Sequence, residues 1–228
     1  MFASDAGGVR ELGEPLEEGF HGDQYLLRLV AWLATQIGAF IETGTNVGTT
    51  ARYVADTYPA LQVYSCECED AAFQMSRRHL DARPNARVFH KMSPKFLYDL
   101  HDERPELRSQ LNLYWLDAHG YGFAWPLADE VAFLTSTLDR AFVLIDDFRV
   151  PGRPDFSFDH YGDQVCCFEA IEPAIQSGRT YRLVYPRYTE HTSRHHPLVG
   201  VGLLEFGVGR FALPEGLSEH FSVRTIAR

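Results

Sequence analysis

The chain has 228 residues, enough for one α/β domain with at most a small appendage. It is 45% hydrophobic and 23% charged, which suits a water-soluble fold with a full core, and its formal net charge of −10 argues against a large phosphate-binding surface and hence against nucleic acid as a partner. No apolar run reaches the roughly 20 residues that cross a bilayer, and the acidic, Gly-containing start is no secretory signal, so a cytoplasmic protein without membrane contact is expected. Four cysteines, as Cys66-x-Cys68 and Cys166-Cys167, fit neither a zinc knuckle nor a disulfide framework and read as buried or half-buried thiols.

Residues 1–22 read as a flexible or loosely docked arm, and 23–228 as a single domain. From Asp23 to Ile37 apolar residues recur at helical spacing, with Gly38 as the stop. Ala39-Phe40-Ile41-Glu42-Thr43-Gly44-Thr45-Asn46-Val47-Gly48-Thr49-Thr50 then reads as a buried strand, a Gly-rich turn and a helix start. Glycine tolerates φ > 0 and lets backbone approach a ligand closely, while the helix start offers free N–H groups. Glu42 at the strand end is a candidate for a ligand amine or hydroxyl. The pattern E-x-G-x-x-x-G-T lacks the third glycine of a dinucleotide turn and suits a nucleoside ligand without a pyrophosphate.

This stretch resembles motif I of the class I S-adenosylmethionine-dependent methyltransferases, in which the loop wraps the methionine part of the cofactor. The resemblance implies that Glu42, Gly44, Thr45, Asn46, Gly48 and Thr49 hold S-adenosylmethionine. The expected helix runs from Thr49 to Thr57. Leu61 to Glu67 is the second strand, and Glu67 at its end is placed to accept ribose hydroxyls, with Glu69 as a rival. Asp70 to Leu80 is the next helix and Ala86 to His90 the third strand. Relatives often carry an acid in the following turn, against the adenine amine. Here Met92 stands there, able to pack on adenine, and Ser93 offers a polar contact.

Asp102 to Gln110 is charged and is expected below the sheet. Leu111 to Asp117 is the fourth strand, and Ala118-His119-Gly120-Tyr121-Gly122 a loop. Pro126 opens a helix through Leu127, Val131, Leu134 and Leu138, with Asp129 and Glu130 suiting its dipole. The fifth strand is Ala141 to Ile145, ending in Asp146-Asp147. Arg149 to Gly162 is a Pro/Gly-rich, aromatic loop of the kind that shapes a substrate site. Gln164 to Gln176 is expected as a helix, and Tyr181–Tyr185 with Leu198–Glu205 as an antiparallel hairpin around the His-rich stretch Thr189 to His196. The sum is a doubly wound, Rossmann-like mixed sheet of seven strands with helices on both faces and a terminal antiparallel hairpin.

Acids gather at the carboxyl edge of such a sheet, and carboxylates so crowded need a cation between them. Asp117 and the pair Asp146-Asp147 end neighbouring strands and can converge on one metal. Phe40 to Phe148 resembles the macrolide- and aminocoumarin-type sugar O-methyltransferases. There an acid after the fourth strand and an Asp-Asp pair after the fifth hold Mg²⁺ beside the substrate hydroxyl. The resemblance implies Mg²⁺ or another divalent cation on Asp117, Asp146 and Asp147, with Asp117 and His119 at the chemistry. His119 stands where relatives often have a second acid, and is by type a base or a metal ligand. His160, His191, His195 and His196 are a weaker candidate for zinc or nickel, since side chains of consecutive residues diverge on a strand. Tyr121, Trp125, Phe156, Phe158 and Tyr161 line an apolar acceptor slot or serve as ordinary anchors.

The expected protein is thus an O-methyltransferase acting on a hydroxyl of a sugar or other small natural-product or glycan acceptor. The alternatives are a metal-dependent hydrolase or oxygenase on the same fold, or a non-catalytic member of a biosynthetic complex. The termini leave a homo-oligomer open.

Overall fold

The computed structural model describes residues 18–118, 125–189 and 198–228. Five parallel strands form the heart of the sheet: β1 (Ala39–Thr43), β2 (Gln62–Glu67), β3 (Ala86–His90), β4 (Leu113–Leu116) and β5 (Ala141–Ile145). β1, β4 and β5 are buried along their whole length, as strands covered on both faces must be. The helices between them are α2 (Thr49–Thr57), α3 (Asp70–Leu80), α4 (Ser93–Glu103) and α5 (Leu127–Thr137), preceded by α1 (Gln24–Ala34). The Asp23 carboxylate caps α1 by accepting from the Tyr25 and Leu26 N–H groups.

The strand order reverses between β1 and β4. From β1 the chain steps outward to β2 and β3, then returns to β4 and β5. Right-handed crossovers therefore put α2 and α3 on one face and α4 and α5 on the other. Contacts agree: α2 packs on α3, and α4 on α5. Such a reversal opens a crevice at the carboxyl ends of β1 and β4, where ligands bind in doubly wound sheets.

The expected hairpin forms from β8 (Thr180–Pro186) and β9 (Gly202–Phe206), with Arg182 opposite Glu205, and β9 lies antiparallel against β5. Three details differ from the sequence reading. The described sheet has eight strands rather than seven, because β10 (Phe221–Ala227) adds an antiparallel edge to β8. Gln164 to Gln176 is not one helix. Gln164–Val165 (β7) pairs with His160–Tyr161 (β6) across a turn in which Gly162 takes φ +60°, then a four-residue helix α6 (Phe168–Ile171) gives way to a 3-10 turn containing Pro173. Of the segment expected as an arm, the described residues 18–22 are packed rather than loose: Phe20 is only 1% exposed, within a 3-10 turn Phe20–Gly22. α7 (Glu215–Ser218) lies against α1. All four cysteines are unpaired, with only Cys68 exposed. Among the described residues, no helix is long and apolar enough to cross a membrane.

Candidate cofactor turn and carboxylate cluster

β1 runs straight into the Gly-rich turn. The N–H groups of Gly44 and Thr45 both donate to the Cys66 carbonyl at 3.0 Å, tying the turn to the end of β2. Gly44 has φ +83°, and a β-carbon there would stand 2.2 Å from the Asp117 carbonyl oxygen. The close approach that requires this glycine is therefore to the chain's own backbone after β4. Gly48, at φ +91°, precedes α2 with no side chain capping the helix. Asn46 is exposed at the tip, also left-handed at φ +49°.

Glu42 lies beneath the turn rather than on it. It is 1% exposed, and its Oε2 accepts the Ser65 hydroxyl at 2.5 Å, which in turn lies 2.5 Å from the Thr45 hydroxyl. Burial pushes the Glu42 carboxyl well above the usual range, the Ser65 bond opposes this, and the charges of Asp117 and Glu67 add to it. Glu67 is at the expected place, half-buried at the end of β2. Its Oε2 accepts the Asn46 N–H at 2.7 Å and its Oε1 the N–H groups of Cys68 and Glu69 at 2.8 and 2.9 Å. A carboxylate has about four lone-pair sites, so three amides leave one for a ligand hydroxyl. Met92 is 42% exposed beside this edge. Ser93 faces inward, 6% exposed, where it hydrogen-bonds Glu130. Glu69, the rival acid, caps α3 instead.

The acids after β4 and β5 do converge. Asp117 N–H donates to the Thr43 carbonyl and Asp146 N–H to that of Leu116, both at 3.0 Å, so each extends the parallel ladder by one residue. Asp147 then turns into the left-handed region at φ +49°, which Asp tolerates better than most residues. One carboxylate oxygen from each of Asp117, Asp146 and Asp147 lies within 4.8 Å of the other two. Asp159 and Glu130 line the same cleft, along with Trp125 and Cys166. Burial first, then the charges of Asp146, Asp159 and Asp117, push the Asp147 carboxyl up to about 8. Crowding of this kind is what a bound cation relieves, and oxygen donors in this number suit a hard divalent ion.

One side chain reaches this cluster from the segment read as an arm. Phe20 packs its ring edge-on to Trp115, Phe40 and Tyr53, with centroids 5.0, 6.0 and 6.2 Å apart. With Phe20 so fixed, His21 is carried over the carboxyl edge, its Nε2 at 2.8 and 2.9 Å from the two oxygens of Asp146. Burial alone would lower its pKa. The facing charges of Asp146, Asp117 and Asp147 and the bond to Asp146 outweigh burial and push it up to about 9.

No protein-family model matches the chain, and no curated protein matches it in sequence. Its structure is similar to that of the O-methyltransferase from Bacillus cereus in complex with SAH, at 12% identity and a TM-score of 0.58 over 86% of this chain and 84% of that one. It is similar too to the O-methyltransferase TomG from Streptomyces achromogenes, involved in tomaymycin synthesis and solved with SAM, at 17% identity and a TM-score of 0.53 over 80% and 78% of the two chains. A SAM-dependent methyltransferase from Aquifex aeolicus matches at 12% identity and a TM-score of 0.50, over 82% and 92%.

The fold is that of the class I methyltransferases. Within it, the sequence reading located the turn, Glu67 and the three aspartates, while His119 and Tyr121, with His191, His195 and His196, lie outside the described residues. His160 is exposed on β6 and has no place in the acid cluster. Phe156 is a core residue, 1% exposed, whereas Trp125 and Tyr161 meet edge-on at 5.4 Å by the cleft. Three residues of the site were not singled out from the sequence. Glu130 had a signal: it shares the helical stripe of Leu127, Val131 and Leu134, and so had to face inward. Asp159 and His21 had none, because loop and arm geometry placed them.

Proposed function

We propose that the protein is an S-adenosylmethionine-dependent O-methyltransferase that uses a divalent cation, Mg²⁺ or a relative, on a small acceptor carrying a hydroxyl. A sugar or other natural-product scaffold is the acceptor class that the resemblance favours. The observation carrying this reading is the convergence of Asp117, Asp146 and Asp147 within 4.8 Å, beside a Gly44–Gly48 turn that packs on the Asp117 backbone. The solved O-methyltransferases named above, one with SAH and one with SAM, lend it support.

In this reading Gly44, Thr45, Asn46, Gly48 and Thr49 shape the bed for the amino-acid part of the cofactor. Glu42 acts from below, holding Thr45 through Ser65. Glu67, with its remaining lone pair, takes a ribose hydroxyl, and Met92 covers the adenine. Asp117, Asp146 and Asp147 hold the cation, which when bound polarises the acceptor hydroxyl as a Lewis acid. His119, two residues beyond Asp117, is the proposed base for the hydroxyl proton. Trp125 and Tyr161 supply an apolar wall to the acceptor. Much of the rate enhancement would come from alignment, as in any displacement between two bound groups.

Calorimetry tests the first step. The protein should bind S-adenosylhomocysteine with a single saturating isotherm that Glu67→Ala weakens. Absence of heat with saturating S-adenosylmethionine and S-adenosylhomocysteine would contradict the reading. Chelator-sensitive turnover indifferent to S-adenosylmethionine would favour a hydrolase or oxygenase instead.

A further inference from the structure

Asp146, which ends β5, is held from the side of the sheet away from the cleft. We propose that His21 is a positioning residue: its imidazole N–H fixes the Asp146 carboxylate in the orientation that turns its remaining lone pairs toward Asp117 and Asp147. His21 itself stays off the ion. The proposal rests on the reading of Asp117, Asp146 and Asp147 as cation ligands.

Three features of the chain support it. The first is the contact. Nε2 of His21 lies 2.8 and 2.9 Å from the two Asp146 oxygens. An ionised carboxylate only accepts, so Nε2 carries the proton and shares it between both oxygens. Such a bond uses at most two of about four lone-pair sites and leaves the others for a cation. The second is the side of approach. Consecutive side chains of a strand point to opposite faces of the sheet. Trp115 of β4 turns toward Phe20 and His21, with ring centroids 5.0 and 6.3 Å away, whereas Leu116 lines the cleft with Asp117, Asp146 and Asp147. His21 is not among the residues lining that cleft. The Asp146 carboxylate therefore stands between the imidazole and the site.

The third feature is how firmly both partners are built in. The Asp146 main chain is tied down by its N–H to the Leu116 carbonyl at 3.0 Å and by the Cys166 thiol, 3.5 Å from its own carbonyl. Rotation of the carboxylate is the freedom left, and His21 removes it. His21 adopts φ +60°, ψ +8°, a left-handed conformation uncommon for a residue with a β-carbon. The buried Phe20 holds it so, with the Gly22 N–H donating to the Gly19 carbonyl at 3.0 Å and the Asp23 N–H to that of Phe20 at 3.1 Å. Asp23 is fixed in turn by the Tyr188 hydroxyl at 2.7 Å. Strained backbone maintained by its surroundings is characteristic of functional positions.

Titrations of the full chain with Mg²⁺ and Mn²⁺, read by calorimetry, test this on the wild type, His21→Asn and His21→Gln. Asn accepts the left-handed backbone, but its amide falls short of Asp146. The Gln side-chain nitrogen is as many bonds from the α-carbon as Nε2 and can donate the same bond. His21→Asn should lose about tenfold to a hundredfold in affinity for both ions, the usual cost of removing an outer partner of a metal ligand, and His21→Gln should recover most of it. A purely structural His21 would lower the melting temperature of His21→Asn and leave its cation affinity alone. Unchanged or tighter binding by His21→Asn, or a Gln variant no better than Asn, would overturn the proposal while leaving the three-aspartate site intact. Should either variant fail to fold by circular dichroism, ¹⁵N NMR of the wild type saturated with Mg²⁺ decides. Nε2 of His21 should keep its proton and its hydrogen bond, and loss of either on saturation overturns the positioning role. A wild type that binds neither ion refutes this proposal and the cation reading together.

Discussion

The α-carbon of Gly44 faces the carbonyl of Asp117 so closely that a β-carbon would stand 2.2 Å from its oxygen. The turn proposed to cradle the cofactor and the strand end proposed to hold the cation are thus one packed unit. Gly44→Ala should damage both, through backbone strain and a clash with backbone that cannot swing away. A loss of about 3 kcal/mol in urea denaturation is expected. Gly152→Ala, at φ +71° with nothing within 4 Å of the added carbon, is the control and should cost only about 1 kcal/mol. Equal losses would mean that the contact with Asp117 is slack.

Phe20 anchors the segment that carries His21. Truncation to Ala removes a ring packed against Trp115, Phe40 and Tyr53, and should cost about 3 kcal/mol. Divalent-cation affinity should fall in the same variant, measured below its melting temperature. An unaltered affinity would show that the segment is a bystander.

The metal-free protein should lose stability as pH rises from about 4 to about 9. His21 is held at about 9 against an ordinary 6.5, so its contribution is complete below pH 6.5 and disappears as pH climbs through 9. Asp147 is held at about 8 against an ordinary 3.8, so the folded state favours its protonated form and loses stability progressively from about pH 4 until pH passes 8. Both effects have the same sign. Melting temperatures in chelator should decline across this window, and a saturating divalent cation should flatten the decline, since binding is favoured by deprotonated ligands. A melting temperature that climbs with pH in chelator would contradict the electrostatic account.

Arg182 and Glu205 face each other across the β8–β9 hairpin, with Nη1 2.6 Å from Oε2 and Glu205 fully buried. Burial raises the Glu205 pKa, and Arg182 and the Val208 N–H oppose that rise. Arg182→Ala leaves a buried carboxylate without its cation and should cost roughly 3 kcal/mol. Adding Glu205→Gln should recover part of that loss, because the orphaned charge is gone. A double variant no better than the single one would place the cost in lost packing by the Arg stem.

Much of this architecture was legible because it is written in short-range patterns. The bounds of α2 and α3 follow from where apolar spacing starts and stops, and fully apolar runs such as Ala141–Ile145 mark strands covered on both sides. The acids at strand ends were legible for the same reason, since a parallel sheet fixes which edge they share. β10 was not: six of its seven residues, from Ser222 onward, are exposed or half-buried, so no alternation marks Phe221–Ala227, and only pairing with β8 makes it a strand. The break of the expected Gln164–Gln176 helix depended on a hairpin formed with His160–Tyr161. His21 is the clearest case. Its partner Asp146 is 125 residues away, and nothing within the sequence Phe20-His21-Gly22 announces a carboxylate cluster.

The most direct measurement is a crystal structure of the full chain grown with S-adenosylhomocysteine and Mn²⁺. The account predicts anomalous density for one Mn²⁺ bounded by Asp117, Asp146 and Asp147, with the nucleoside lying between the Gly44–Gly48 turn and Glu67 and its sulfur turned toward the ion. Density for the nucleoside elsewhere, or three aspartates without an ion at saturating Mn²⁺, would contradict it.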